Sequence, residues 1–489
     1  MSPSSLEPQR LPNGLLWLAR PVAGAQAAVR VVYRCGGRDD PTGRSGLSHL
    51  VLRLVAGASR NLAPGQFHRL IAASGGRSRI EIDEDFAALQ TVVPAHQLER
   101  LLWAEAERMS NPRLDPDTLA SARLQLRQAV QEPQLNPYAR LDLAVQRHGY
   151  LTHPYQRGAL GDPEQLKDLD IDAVRAFHAA RFGCDRALLV VTGAFDEGAL
   201  ARWVMHYFGS IRPPMPVTGA SLPASMPASG GVAGSASTPA AAASPPMPPM
   251  PGSAASSPAS AALAVAPAPM AAPAAPAASL PPMPAEPREL RESRRPQNQT
   301  LKLSLAQAPL PAAALVWQVP RADDPSLPMW QMARALLGLG RSGRLTDTLV
   351  DEKALAHQLS LRLDQHRDAG LLVAQALAAH GQTAAPLAQA LQQEVLRLAD
   401  EPVTDEELDK AKAMLRRETL SAQWTADRLA RALGTAWAVR GDAGAPAKDM
   451  AVWVKLTGVE LQQFWRKQVV QAPVLTLLAD IGAAAGVAA

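Results

Sequence analysis

The stretch VRVVYRCGGRDDP, residues 29–41, is followed much later in the chain by a second version of itself, ALVWQVPRADDP, residues 314–325. In each copy an apolar, β-branched run that favours a strand leads into a polar turn ending in Asp-Asp-Pro. A helix-like segment follows in both places. The same strand, turn and helix therefore stand near the start of two halves of the chain.

Two further pairs of segments occur in the same order in both halves. Residues 111–130 and 400–419 each read as a capped helix, and each half later has a second helix start, a phenylalanine seven residues on and a final strand eleven residues after that. The four predicted N-caps are Asp115, Asp170, Thr404 and Thr457. Three ordered matches predict an internal duplication, an α+β fold of two homologous sheet-plus-helix domains.

Composition separates the two halves. The chain has 489 residues, too many for one ordinary core. Residues 213–285 contain 19 of the 43 prolines and no charged or aromatic side chain, so they cannot bury enough apolar surface to offset their chain entropy. We predict a domain at 1–212, a disordered Pro/Ala/Met-rich linker at 213–288 and a second domain at 289–489. The rival interpretation of the linker is a methionine-rich binding strip.

Charge, cysteines and motifs exclude several functional classes. A net charge of +4 without a long basic run predicts no nucleic-acid partner. Cys35 and Cys184 lie far apart without CxxC spacing, so neither a disulfide scaffold nor a cysteine-rich zinc site is expected, and both thiols are predicted to be at least half-buried. No GxSxG, Walker or GxGxxG motif indicates serine hydrolase, nucleotide or dinucleotide chemistry.

The sequence as written carries no leader and no stretch of 18 apolar residues. It therefore predicts a cytoplasmic protein without a membrane partner, or a periplasmic one if a signal peptide precedes the assigned start. The apolar segment VLTLLADIGAAAGVAA, residues 474–489, could be a membrane tail. Its counterpart ALLVVTGAF in the first half favours a buried strand with a frayed end instead.

The helix-like segment GRSGLSHLVLRLVAGAS, residues 43–59, resembles the helix that carries the HxxEH motif in the pitrilysin/insulinase family of zinc metallopeptidases. Other short motifs fall in that family's order along both halves: LPNGL at 11–15, SGG at 74–76, NPRLD at 111–115, HPY at 153–155 and GRSGRL at 340–345. The closest members in size are the short bacterial ones with two related domains. The resemblance implies a zinc peptidase scaffold.

The zinc motif itself is degenerate. A working site needs two histidines four residues apart on a helix, a glutamate that activates water, and a distant third ligand. The matching positions hold His49, Leu52 and Arg53, and the third ligand is replaced by Ala129. A guanidinium repels a metal cation and leucine cannot accept a proton. We predict no catalytic residue, no bound metal and no cofactor, with zinc expected only in a partner subunit.

No other set of residues offers a convincing replacement. His68 has no partner at helical spacing, and His148 and His153 are separated by a Gly-Tyr break. The acidic stretch EIDED, residues 81–85, could bind a cation. Its alternation with apolar residues is more typical of a strand with one solvated face.

In the second half, the resemblance implies two substrate contacts. Arg344 stands where related peptidases hold substrate backbone with an arginine, and His357 stands at the position of a nearby tyrosine. Arg344 can donate several hydrogen bonds to peptide carbonyls, but a solvated surface arginine fits the sequence equally well.

Three hypotheses of function remain. The first is a non-catalytic homologue that acts as partner subunit of an active zinc peptidase and contributes chamber wall and peptide contacts. In that case the linker would let the two halves open and shut. The second is a stand-alone peptide-binding or assembly protein. The third is an active metallopeptidase that coordinates zinc through His49 and unidentified ligands.

Overall fold

The computed structural model describes residues 6–213, 290–305, 308–341 and 343–481. The predicted linker at 213–288 lies outside these ranges except for Pro213, so its disorder and the rival binding strip stay predictions. The exact domain limits at 212 and 289 stay predictions as well. Within the described ranges, the structure has no helix with the length and apolar character that crossing a bilayer requires.

The N-terminal half contains a sheet of six strands with helices packed against it. The strands are β1 (Gln9–Arg10), β2 (Leu16–Pro21), β3 (Gln26–Tyr33), β4 (Arg77–Ile82), β5 (Ala87–Pro94) and β6 (Ala187–Gly193). The helices are α1 (Leu47–Gly57), α2 (Gln66–Ala73), α3 (Leu98–Ser110), α4 (Pro116–Gln131), α5 (Ala139–Gly149), α6 (Ile171–Arg181) and α7 (Glu197–Phe208). Across the sheet the strand order is β1-β2-β6-β3-β5-β4.

The C-terminal half contains a sheet of five strands. They are β7 (Gln299–Leu305), β8 (Ala312–Val319), β9 (Ala356–Asp364), β10 (Gly370–Ala378) and β11 (Leu475–Ile481). The helices are α8 (Leu327–Gly338), α9 (Arg344–Thr346), α10 (Ala384–Arg397), α11 (Asp405–Ser421), α12 (Ala426–Arg440), α13 (Ala445–Lys455) and α14 (Gly458–Trp465). Their strand order is β7-β11-β8-β10-β9.

The two sheets repeat one topology. In each, the last strand of the half lies parallel to the first long strand and antiparallel to the second, as β6 does with β2 and β3 and β11 does with β7 and β8. Two further antiparallel strands extend the sheet on the same side. The predicted α+β class with a repeated sheet-plus-helix unit is confirmed. Of the apolar segment at 474–489, Leu475–Ile481 form β11 between β7 and β8, and residues 482–489 lie outside the described ranges, so the frayed end stays a prediction.

The predicted helix starts are confirmed at all four positions. Each cap side chain accepts a hydrogen bond from the backbone N–H three residues further on, which satisfies a donor that has no partner within the helix. The distances are 2.9 Å for Asp115, 2.6 Å for Asp170, 3.2 Å for Thr404 and 3.3 Å for Thr457.

The repeated Asp-Asp-Pro turn has one structural role in both halves. The Asp40 carboxylate accepts hydrogen bonds from the backbone N–H groups of Gly46 at 2.6 Å and Ser48 at 2.7 Å, at the first turn of α1. Asp324 accepts one from the N–H of Ser326 at 2.8 Å, just before α8 begins. Because helix N-termini present unpaired donors and a positive dipole end, a carboxylate there stabilises the helix start.

One helix of each half covers the sheet of the other half. Helix α12 packs on β3, β5 and β6, where Leu433 and Trp437 share a buried cluster with Val32 of the N-terminal sheet. Helix α5 packs on β8 and β11, where Leu141 shares a buried cluster with Leu477. Strands such as β3 and β6 are therefore covered on both faces, which accounts for their nearly continuous burial.

Polar contacts make this exchange specific. The Arg34 guanidinium lies over the Trp437 ring, 4.6 Å from its centroid, and donates a hydrogen bond to the Trp437 carbonyl at 2.9 Å. Thr192 on β6 donates a hydrogen bond to the carbonyl of Ala426 at 2.6 Å, at the first residue of α12. These bonds determine where α12 lies along the N-terminal sheet, because a shifted helix would leave buried polar groups without partners.

Candidate functional site

Helix α1 holds the residues of the degenerate zinc motif. It begins after Gly46, whose φ of +95° turns the chain into the helix. Leu52 is completely buried in the core of the N-terminal half and His49 is only 2% exposed, whereas Arg53 is partly exposed. Residues four apart lie on one helix face, so His49 and Arg53 are neighbours.

His49 is held by two hydrogen bonds. Its Nδ1 lies 3.1 Å from the backbone carbonyl of Leu160, and its Nε2 lies 3.0 Å from Nε of Arg53. A carbonyl only accepts and a guanidinium only donates, so Nδ1 carries the proton and Nε2 offers its lone pair to Arg53. Burial lowers the pKa of His49 to about 4, and the nearby charge of Arg53 lowers it as well, which keeps the imidazole neutral.

The zinc ion that such a motif holds in related peptidases does not fit these residues. The Nε2 lone pair that could coordinate a metal is engaged by Arg53. Leu52 presents a hydrocarbon side chain to the core, and Ala129 on α4 has no ligand atom. Among the described residues, three or more possible ligand side chains converge elsewhere, at Asp83, Asp85 and His366. In place of a metal ion, this helix carries the guanidinium of Arg53, a positive charge held in position by its bond to His49.

Arg53 uses only part of its hydrogen-bonding capacity. Its Nε–H binds His49, and neither Nη group has a hydrogen-bond or ion-pair partner among the described residues. Burial lowers the pKa of its guanidinium without any carboxylate acting in the opposite direction. An arginine so placed is a cation that has lost part of its hydration and has no counter-ion.

A cavity of about 660 Å³ opens beside Arg53 between α1, α2, β4 and the start of α4. Among its charged lining side chains, three are arginines, Arg53, Arg79 and Arg113, and one is the carboxylate of Asp117. Arg113 is ion-paired with Asp115, and Arg79 lies 3.5 Å from Asp427. Arg53 has no ion-pair partner among the described residues, and the cavity also contains Asp117, a carboxylate without an ion pair in the described structure.

A second polar cluster joins the two halves, and sequence reasoning misassigned its acidic part. Strand β4 ends at Ile82, so residues 83–85 form a turn rather than the solvated face of a strand. Asp85 is completely buried. It accepts hydrogen bonds from the Tyr155 hydroxyl at 2.5 Å and from the Arg367 backbone at 2.8 Å. The predicted strand is correct for Glu81 and Ile82, which belong to β4, and wrong for residues 83–85, which turn against the other half.

His366 lies against this acidic turn from the loop between β9 and β10. Its Nδ1 is 3.6 Å from Asp85, 3.8 Å from Asp83 and 4.0 Å from Glu84. Burial alone would lower the pKa of His366, but the neighbouring carboxylates of Asp85, Glu84 and Asp83 outweigh burial and raise the pKa to about 10. At neutral pH the imidazole is therefore protonated, and it offsets part of the negative charge of these three carboxylates.

Arg38 and His153 complete the contact between the halves. Arg38 lies 2.8 Å from a carboxylate oxygen of Asp368, and Nε2 of His153 lies 3.0 Å from the same oxygen. A neighbouring cavity of about 1040 Å³ between the halves is lined by the turn, by α5 and by residues 364–366. His153, which belongs to the HPY motif, thus has a structural partner, and neither it nor His148 forms part of a metal-ligand group among the described residues.

The predicted substrate contacts have defined surroundings. Arg344 donates from Nε and Nη2 to both oxygens of Glu407, each at 2.9 Å, and also from Nη2 to the Pro402 carbonyl. Hydrogen bonding from Arg344 lowers the pKa of Glu407 to about 2, despite the opposing effect of partial burial. His357 is exposed on the edge strand β9. Contact of either residue with a peptide stays a prediction.

Both cysteines are free and buried, as predicted. Cys35 lies 3.5 Å from the Ser48 hydroxyl, and burial raises the pKa of its thiol. Cys184 is buried beneath the N-terminal segment, and burial raises the pKa of its thiol to about 12. Neither thiol has the thiolate character that nucleophilic catalysis requires.

Two family models match the chain. The one described as Insulinase (Peptidase family M16) matches residues 19–163, and the one described as Peptidase M16 inactive domain matches residues 267–415. Together they span more than half of the chain. The chain belongs to the insulinase family of peptidases, family M16, which confirms the resemblance seen in its motifs.

Among characterised proteins, the zinc protease PqqE of Helicobacter pylori is 23% identical over 209 residues. That match spans 41% of this chain and 46% of PqqE, so the chain covers about half the length of this curated relative.

Several solved structures share the whole fold. A protease from Helicobacter pylori superposes with a TM-score of 0.76 at 18% identity, covering 97% of this chain and 99% of that one. A peptidase M16 inactive domain from Pseudomonas fluorescens superposes with a TM-score of 0.74 at 14% identity, covering 98% of both chains. The first half of the periplasmic protease PqqL from Escherichia coli superposes with a TM-score of 0.71 at 12% identity, covering 97% of this chain and 92% of that one. At these identities the likeness establishes the fold alone.

Proposed function

We propose that this chain is a non-catalytic member of the M16 family that serves as partner subunit of an active zinc peptidase. The observation that carries the proposal is the bond from Arg53 to Nε2 of His49. This bond uses the lone pair that a zinc ion would need and places a permanent cation beside it. With Leu52 in the position of the catalytic glutamate, the helix lacks a group that could activate water.

The chain has lost the zinc ligands but keeps the family's fold, which supports a role as the subunit without zinc. The match of the C-terminal half to an inactive-domain model and the likeness to the first half of a periplasmic protease fit a molecule made of one active and one inactive half. The chain would supply walls and substrate contacts, and the partner would supply zinc. Excluding water from the closed chamber would strengthen the electrostatic interactions at the partner's site.

The exchanged helices indicate where such a molecule opens. Separating the two halves of this chain would uncover the apolar residues that α5 and α12 bury on each other's sheets, including Leu141, Leu433 and Trp437. Opening therefore takes place between this chain and its partner, not between its own halves as the linker suggested. Within the closed chamber, His357 offers an exposed imidazole. Arg344 would reach a peptide carbonyl only after leaving its partners, because its Nη1 is buried 3.9 Å from Glu401 and its Nε and Nη2 donate to Glu407.

Reconstitution tests the proposal. The full chain is purified, its zinc content is measured, and it is incubated with a quenched fluorescent peptide, alone and with an M16 subunit from the same organism that has an intact HxxEH motif. We expect no stoichiometric zinc and no chelator-sensitive cleavage by the chain alone. Cleavage by the mixture should exceed that of the partner alone by at least about tenfold and vanish when the partner's motif glutamate is changed to glutamine.

Two outcomes of that experiment would refute the proposal. Chelator-sensitive cleavage by the isolated chain would make it a peptidase in its own right. Absence of both complex formation and stimulation would favour the second candidate, a stand-alone binding or assembly protein. The fold likeness to a chain of complex III2 from Candida albicans, with a TM-score of 0.68 at 11% identity over 96% of this chain, is the observation that keeps this candidate in view.

A further inference from the structure

The cavity beside Arg53 has the properties of a receptor for an anion. We propose that it binds a peptide carboxylate, so that the place where related peptidases hold a dication is here occupied by a cation that captures the opposite charge. This inference rests on the proposed function in that it assumes a peptide ligand. Two sources share the chemistry, the C-terminal carboxylate of a peptide and an acidic side chain.

The first argument is the unbalanced charge. Arg53 is partly buried, its pKa is lowered by burial, and its Nη groups have no partner among the described residues. A guanidinium in this state gains more from a carboxylate than a fully hydrated one does, because part of its desolvation has already occurred on folding. Planar, charge-assisted bonds to a carboxylate are the interactions for which arginine is best suited.

The second argument is that the guanidinium is held in place before any ligand binds. Its Nε–H donates to His49, and His49 in turn donates to the carbonyl of Leu160. This relay ties the cation to the backbone of a separate segment and leaves both Nη groups for a ligand. Fixing the donors in advance lowers the entropic cost of binding.

The third argument is the size and charge of the cavity. A volume of about 660 Å³ lies within the range of small-molecule sites and accommodates the end of a peptide. On its walls, Arg113 is neutralised by Asp115 and Arg79 faces Asp427. Asp117 at the first turn of α4 is the acidic residue among the lining side chains, and it has no ion pair in the described structure. It would disfavour a ligand with two negative charges.

Binding of labelled peptides to the full chain tests the proposal. Three mixtures of hexapeptides, randomised over residues other than Asp and Glu and labelled with an uncharged fluorophore, are compared by anisotropy: free acids, C-terminal amides, and amides with glutamate at the last position. We expect free acids to bind at least about tenfold more tightly than plain amides. Equal recovery by the glutamate amides would identify the side-chain carboxylate as a second accepted source, and failure to recover would restrict the site to C-termini.

Variants assign the effect to one side chain. R53Q should remove the preference for free acids, whereas R69Q, which removes the same charge from an exposed position on α2 outside the cavity, should retain it. The proposal is overturned if wild-type protein binds acids and amides equally or binds none of the mixtures, or if R69Q weakens binding as much as R53Q. The wild-type comparison is informative even if R53Q does not fold.

The outcome is separable from that of the proposed function. If the mixture with a zinc subunit is active but ignores amidation of the substrate and R53Q, the carboxylate site is wrong and the partner role stands. If free acids bind through Arg53 but no zinc subunit is stimulated, the site stands and the partner role fails.

Discussion

Gly161 lies against Gly46 so closely that a Cβ built on Gly161 would stand 2.1 Å from the Gly46 Cα. Both glycines have positive φ, and Gly46 is the residue from which α1 begins. The contact holds the preceding residue, Leu160, where its carbonyl meets His49. The position of the motif helix and the tautomer of its histidine thus depend on two residues that have no side chain.

We expect Gly161→Ala to destabilise the protein by more than about 2 kcal/mol, because a methyl group would collide with backbone atoms that cannot yield. Gly43→Ala is the matched control: Gly43 also has positive φ, at +76°, but nothing lies within 4 Å of its Cβ position, so backbone strain alone should cost about 1 kcal/mol. Urea unfolding measures both. Equal effects would show that the close approach is relaxed in solution.

The second prediction concerns His49 and acid. Because the pKa of His49 is about 4 in the folded protein and about 6.5 in the unfolded chain, the unfolded chain binds the proton first as pH falls. The stability due to neutral His49 is therefore complete above about pH 6.5 and is lost toward pH 4. Relative to His49→Gln, the wild type should lose roughly 2 kcal/mol between pH 7.5 and 4.5.

Unfolding measured at both pH values checks this, with His96→Gln, which removes an exposed histidine, as the baseline. A titration of the His49 ring by NMR provides an independent reading. A midpoint near 6 in that titration would contradict the burial and the Arg53 bond. In Arg53→Met the midpoint should move upward, because the neighbouring positive charge is one cause that lowers the pKa of His49.

The third prediction addresses the cluster between the halves. Tyr155→Phe removes the hydroxyl that donates to the buried Asp85 and should destabilise the protein by about 1–3 kcal/mol at neutral pH, as expected for a charged acceptor left short of a donor. Tyr207→Phe is the comparison, since that hydroxyl binds Glu99 at 3.1 Å in a partly exposed place. A larger loss of stability in Tyr207→Phe than in Tyr155→Phe would contradict this prediction, because it would mean that Asp85 does not depend on the Tyr155 hydroxyl as a donor.

The fourth prediction tests the exchanged helix. Trp437→Ala should cost about 3–5 kcal/mol, because Trp437 fills space on the foreign sheet and carries the Arg34 stacking contact. Amide hydrogen exchange should then accelerate in β3 and β6 of the N-terminal half, although both strands are remote from Trp437 in the sequence. Val459→Ala, at a residue 63% exposed on α14, should leave exchange in these strands unchanged. Protection lost only around α12 would argue against the exchange.

Much of the fold could be predicted because its signals are local. The caps at Asp115 and Thr457 and the Asp-Asp-Pro turns act on backbone groups within a few residues of themselves, so they can be recognised from sequence spacing. The repeat of these signals in one order predicted the duplicated topology. The covering of each sheet by a helix of the other half left no such signal, because a helix face looks the same whichever sheet it packs against.

The cluster around Asp85 could not be predicted from the sequence either, because its members come from distant segments of the chain. Its partners Tyr155, Arg367 and His366 lie 70 to 282 residues away along the chain, and the alternation of residues 80–86 continues past Ile82, where β4 ends. The cluster could be recognised only once the loop between β9 and β10 was seen to meet the turn after β4. Three consecutive acidic residues at 83–85 were the one hint in the sequence, since burying any of them requires a positive charge nearby.

The amino-acid sequence by itself determined which chemical groups stand on the motif helix, because helical spacing alone makes His49 and Arg53 neighbours on one face. It also determined the family and the repeated topology. Only the tertiary structure decided that Arg53 bonds to Nε2 of His49, that its remaining donors lie unpaired at a cavity, and that the halves exchange helices. The physical reason is that local backbone geometry follows from neighbouring residues, whereas the hydration and pairing of a charge depend on every segment packed around it.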